Sequence, residues 1–129
     1  MTINLKDFSA QLDAFEASVK EAHAEQLRRV SLDLLTRLVE RSPVKSGRFK
    51  GNWMVSSSRP ALVASDRVDP DGRATIARRA AALRNVKPFD TVCITNATPY
   101  AAEVEEGSST QAPAGIVQTA VADILGEHR

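Results

Sequence analysis

From Leu5 onward, apolar side chains recur at Leu5, Phe8, Leu12, Phe15, Val19 and Ala22 in alternating steps of three and four. That spacing commits the start of the chain to an amphipathic helix with one narrow apolar stripe. The stripe then slips. Gln26 takes the next position, and the apolar set resumes at Leu27, Val30, Leu34 and Leu38 with a second line at Leu32, Leu35 and Val39. A face that broad is buried on two sides. The pattern predicts a long helix, or two helices bent near residues 23–26, whose first half meets a partner and whose second half lies in the core. Ser42-Pro43 ends it, because the residue before a proline is pushed out of helical geometry.

The remaining residues must complete a single domain, since 129 residues leave no room for a two-domain enzyme. At 43% hydrophobic and 26% charged the composition is that of a globular protein, and no run approaches the ~18 apolar residues of a membrane span. One cysteine excludes an internal disulfide, and Met1 to Lys6 lead into no apolar stretch. Both point to a chain made and kept in a reducing cytoplasm.

After the helix, residues 43–51 read as a basic loop carrying Lys45, Arg48 and Lys50, with Gly47 for a turn. A strand over 51–58 places Trp53 and Val55 on one face and Asn52, Met54 and Ser56 on the other. Asp69-Pro70-Asp71-Gly72 is a turn, from which Asp71 can cap a helix over 72–86 with Ile76, Ala80 and Leu83 inside. A second strand over 90–97 alternates Val92 and Ile94 with Thr91, Cys93 and Thr95. Pro99 opens a short helix that Gly107 stops, and a last helix over 113–126 buries Ile116, Val117, Ala120, Val121, Ile124 and Leu125. The expected fold is α+β: a long helical arm over 1–41, then a core over 42–129 in which further helices pack on a small, mainly antiparallel sheet.

Chemical machinery is scarce. His23 lies in the long helix, His128 sits one residue from the end, and Cys93 has no neighbour in sequence that would activate its thiol. Zinc spacings and phosphate-cradling glycine loops are absent, and Glu103, Glu105 and Glu106 read as a solvated face rather than a cation site. No catalytic set, metal or cofactor is expected. The charge is nevertheless uneven: residues 1–42 carry six Lys/Arg against seven Asp/Glu, 43–90 ten against four, and 91–129 one against five. A basic middle and an acidic end suit either docking between subunits or contact with nucleic acid. For nucleic acid, Phe49 and Trp53 beside the basic loop would stack bases, and Arg73, Arg78, Arg79 and Arg84 would add a basic helix over 73–84.

Ser42-Pro43-Val44-Lys45-Ser46-Gly47-Arg48-Phe49-Lys50-Gly51-Asn52-Trp53 resembles the opening signature of tail-component proteins of the Hong Kong 97-like tail-completion family of tailed phages. The likeness continues in order through Asp69-Pro70-Asp71-Gly72, Lys87-Pro88, Ile94-Thr95-Asn96, Pro99-Tyr100-Ala101, Glu105-Glu106-Gly107 and Gln111-Ala112-Pro113-Ala114-Gly115-Ile116-Val117. It covers roughly 42–121; Phe89 departs from it, standing where a small turn residue is expected.

The resemblance implies a virion protein of the neck or tail end, a ring-forming adaptor around the DNA channel. Hexameric symmetry is implied by analogy with the tail. Its partners would be connector or head-completion and tail-tube proteins, with DNA passing through the lumen unread and no membrane involved. The subunit and partner contacts expected are Lys45, Arg48, Lys50, Tyr100, Glu103, Glu105, Glu106 and Gln111, while Trp53, Gly51, Gly107 and Pro113 are expected to be structural. The alternative is a small nucleic-acid-binding module using the loop 45–50 and the helix 73–84.

Overall fold

The computed structural model describes residues 4–43, 47–106 and 115–127. Lys45, Gly107, Gln111 and Pro113 therefore lie outside the described residues. Helix α1 spans Leu5–Arg41 and runs unbroken through 23–26, so the single long helix is the one formed. Asn4 starts it by accepting from the amides of Lys6 and Asp7, and Ser42 ends it in extended geometry. At 37 residues the helix is about 55 Å long.

Five further elements of helix and strand follow α1 in the core, and one short helix that the sequence pattern did not suggest. These are α2 (Arg48–Gly51), β1 (Trp53–Ser57), α3 (Arg73–Leu83), β2 (Val92–Asn96), α4 (Ala101–Glu106) and α5 (Ile116–Glu127). The two strands pair antiparallel, Trp53 opposite Asn96, Val55 opposite Ile94 and Ser57 opposite Val92. The fold is the α+β arrangement expected. Leu35, Leu38, Val39, Phe49, Trp53, Val104, Ile116 and Ala120 form the central cluster, so α1, α2, β1, α4 and α5 all contribute to one core.

The arm is shorter than 1–41. Buried positions on α1 begin at Ala24 and continue at Ser31, Leu35, Leu38 and Val39, which makes the second half of the helix a core element. Two other expectations change. The basic stretch 48–51 is helical rather than loop, because Gly47 at φ 76° turns the chain so that its carbonyl accepts from the amides of both Gly51 and Asp69. A Cβ on Gly47 would also meet the Pro70 nitrogen at 2.7 Å. The start of α3 is secured by Asp69 rather than Asp71: the buried Asp69 carboxylate accepts from both the amide and the hydroxyl of Thr75 at 2.7 Å. Asp71 accepts from the Arg73 amide, the more local of the two contacts.

Finally, α5 does not bury a single broad stripe. Ile116, Ala120 and Ile124 face the core, whereas Val117, Val121 and Leu125 remain exposed. α5 packs on α1 and α4, and the second line is left uncovered among the described residues.

Candidate assembly surface

The first half of α1 presents its apolar stripe to solvent. Leu5 is 76% exposed, Phe8 51%, Leu12 52%, Phe15 68% and Val19 46%. Each such side chain is worth ~1.5–3 kcal/mol when fully buried, so the arm holds a large unused contribution on one face. Apolar patches of this size on a folded chain mark contact surfaces. A second, shorter apolar line is Val117, Val121 and Leu125 on α5, and Leu62, Val63 and Val68 are exposed between β1 and α3.

The charged residues expected at contacts divide into groups. Lys50 is buried at 7% exposure, with its ammonium on the Glu40 carbonyl at 3.5 Å, so its charge is not offered on a basic loop. Arg48 is half-buried; its Nε donates to the Ser65 carbonyl and its guanidinium lies 3.9 Å from Asp66. Glu105 accepts from the amides of Val117 and Gln118, which ties α4 to the first turn of α5. Glu103 and Glu106 are exposed. Tyr100 is half-buried on the core, its ring 6.0 Å from Phe49.

The acidic end is partly satisfied within the chain. Asp123 pairs with Arg41, and Glu127 with Arg37. The Glu127 hydrogen bond, opposed by burial and aided by Asp33, raises the Arg37 guanidinium above its usual value. Among the described residues, what stays exposed of the basic middle is Arg59, Arg67, Arg73, Arg78, Arg84 and Lys87. Arg79 turns inward and donates to the Trp53 carbonyl at 2.9 Å, and burial together with the nearby Arg67 charge lowers it.

The nucleic-acid alternative depended on rings beside the basic loop. Phe49 is 6% exposed and Trp53 4%, packed edge to face with centroids 5.7 Å apart, so neither offers a face for stacking. A pocket of about 280 Å³ lies between β2, α4 and α5, lined by Phe49, Trp53, Ile94 and Ile116 with Glu105 at its edge. Its walls are chiefly apolar. Among the described residues no group of His, Cys, Asp and Glu could hold a metal ion. His23 is occupied, its Nδ1 accepting from the Phe89 amide while the two rings stack at 4.5 Å.

Sequence reasoning missed the polar clamps. Asn52 is fully buried and its amide donates to the carbonyls of Arg48 and Ser65, while its carbonyl accepts from the Ser65 amide. Asn96 donates to the Phe49 carbonyl and accepts from Thr98. Gly51 lets the same segment approach, since a Cβ there would lie 2.8 Å from the Arg67 carbonyl oxygen. Gly51-Asn52-Trp53, Asp69-Pro70-Asp71-Gly72 and Ile94-Thr95-Asn96 thus meet around one knot of backbone.

Comparison with protein-family models, curated proteins and solved structures returned no match. No helix among the described residues is long and apolar enough to cross a membrane.

Proposed function

We propose that this chain is a structural protein of a tailed-phage virion, an adaptor of the neck or tail end that assembles into a ring around the DNA channel. The observation that carries the assembly part of the reading is the arm: residues 5–22 extend from the core as a preformed helix with Leu5, Phe8, Leu12, Phe15 and Val19 all exposed. The ring itself is favoured by the basic middle and acidic end of the sequence, which are complementary between neighbours. A helix kept in that state is built to be covered by another protein chain. The ordered sequence fragments from Ser42 to Val117 favour the phage assignment, and the knot they form would hold the core rigid while the exposed surfaces make contacts.

In this reading the subunits meet head to tail, the contact type that closes into rings. Six is the subunit number favoured by analogy with tail symmetry. The neighbours along the particle are connector or head-completion proteins on one side and tail-tube proteins on the other, and DNA passes through without sequence recognition. No catalytic role is assigned.

Native mass spectrometry of the full chain, with electron microscopy of the same sample, tests the proposal. A discrete multiple of the 14.0 kDa subunit that images as an annulus is the expected result. A monomer at tens of micromolar that also fails to join tails lacking this component would overturn it.

A further inference from the structure

We infer that the apolar stripe of the arm is covered by the arm of a second copy of this chain, lying antiparallel to it. This rests on the assembly reading above only in requiring more than one copy. The argument begins with period. The positions Leu5, Phe8, Leu12, Phe15, Val19 and Ala22 repeat every 3.5 residues on average, the repeat of a two-helix seam, in which each helix must carry the same period. The exposed line on α5 steps by four, Val117 to Val121 to Leu125, and drifts away from such a seam. The arm is therefore its own best match.

Reach excludes coverage by α5 of the same chain. The helix is continuous from Leu5 to Arg41, and α5 is held beside Arg37 and Arg41. Leu12 lies about 37 Å along the axis from Arg37, so a chain cannot lay its arm on its own α5.

Side-chain size sets the direction. In an antiparallel seam the first and fourth positions of one repeat face each other across the pair. Leu5 then faces the partner's Ala22, Phe8 faces the partner's Val19, and Leu12 faces the partner's Phe15. No layer pairs Phe with Phe or Ala with Ala, so the layers vary less in volume than those of a parallel seam. A parallel seam would instead stack Phe8 on its own copy and Ala22 on its own copy, giving crowded and hollow layers in turn. The flanks are compatible: Gln11 and Ser18 border one side, Ser9 and Glu16 the other, and the antiparallel register brings no two like charges together. Both cores then sit at opposite ends of the pair and do not collide.

The area is sufficient. Given the exposures of Leu5, Phe8, Leu12, Phe15 and Val19, pairing removes on the order of 1,000 Å² from water over the two copies, the size at which specific interfaces begin. A two-fold contact cannot relate neighbours that all point the same way around a ring. It joins two rings, or two free chains, through their arms.

The test compares subunit number and cross-linking in the full-length chain. Leu12→Glu with Phe15→Glu changes exposed positions only, so far-UV circular dichroism and melting of the core should match the wild type, while native mass spectrometry should show the subunit number halved. In a Cys93→Ser background, Phe8→Cys and Val19→Cys chains should form an intermolecular disulfide when mixed and none when alone. Phe8→Cys cross-linking to itself would overturn the antiparallel pairing. A ring of unchanged mass in the charged variant, without the mixed disulfide, would overturn the inference and leave the ring standing. A wild-type dimer that becomes monomeric and gives the mixed disulfide would support the pairing and sink the ring. A wild-type monomer would overturn both.

Discussion

The indole N–H of Trp53 donates to the hydroxyl of Ser42 at 2.8 Å, joining the first residue of β1 to the residue that ends α1. The same hydroxyl donates to the Leu38 carbonyl, so one serine closes the helix and satisfies the buried ring nitrogen. Trp53→Ala should cost about 3–5 kcal/mol, the range for emptying a large core site. Ser42→Ala should cost about 1–3 kcal/mol, because it strands the indole N–H away from water. Urea unfolding followed by circular dichroism measures both; a Trp53→Ala chain as stable as wild type would remove Trp53 from the core.

Asp69 provides a handle on pH. Burial pushes its carboxyl up, but the hydrogen bonds from the Thr75 hydroxyl and amide, with those around Asp71 and Gly72, together hold it below the ordinary aspartate value. A carboxyl whose folded value is depressed binds its proton more readily when unfolded. Its stabilisation is therefore complete above the unfolded value of about 3.9 and is lost as pH falls through the lower folded value. Asp69→Ala should lower stability near neutral pH by ~1–3 kcal/mol, and the deficit should shrink on acidification. Parallel stability curves that stay equally far apart down to pH 2 would contradict this origin.

The three glutamates of α4 should separate experimentally. Glu105→Ala frees two amides at the start of α5 and should destabilise the fold by about 0.5–2 kcal/mol, as loss of a helix cap does. Glu103→Lys with Glu106→Lys should leave the melting curve in place and impair assembly, if these exposed carboxylates meet the basic surface of a neighbour. Native mass and thermal melting of the two variants distinguish the roles. An assembled Glu103/Glu106 variant would place the head-to-tail contact elsewhere.

Basic residues should divide in the same way. Lys50→Ala should act through stability, since its ammonium is directed to the Glu40 carbonyl, and DNA affinity should not change. Any weak, salt-sensitive binding should fall on replacing Arg73, Arg78 and Arg84 with Ala, because these remain exposed on α3 and at its C-terminal cap. DNA titrations at two salt concentrations provide the readout. Submicromolar wild-type binding at physiological salt, abolished by changing Lys45, Arg48 and Lys50 in a chain that still assembles, would favour the nucleic-acid module.

What the sequence could express was periodicity and punctuation. The long helix, its stop at Ser42-Pro43, both strands and the burial of Trp53 follow from local patterns that need no knowledge of distant contacts. What it could not express was pairing across the chain. Lys50 reads as exposed until Glu40 is placed beside it, and Asn52 reads as the outer face of a strand until Ser65 returns to it. Likewise spacing points to Asp71 as the cap, and only the approach of Thr75 gives the larger part to Asp69. Phe89 is the plainest case: a bulky residue takes φ 63°, the turn geometry expected of a small one, with its amide and ring both engaged by His23 some distance back along α1.

Because one unbroken helix serves as both core element and arm, the protein contains a ruler without a joint. Removing the four residues between Val19 and Ala24 would draw the stripe about 6 Å toward the core while turning it by only ~40°. Removing a single residue would swing the stripe by ~100° and aim it at a different neighbour. Residue count in that stretch therefore fixes the gap between this domain and whatever its arm grips, and residue phase fixes the direction of the grip.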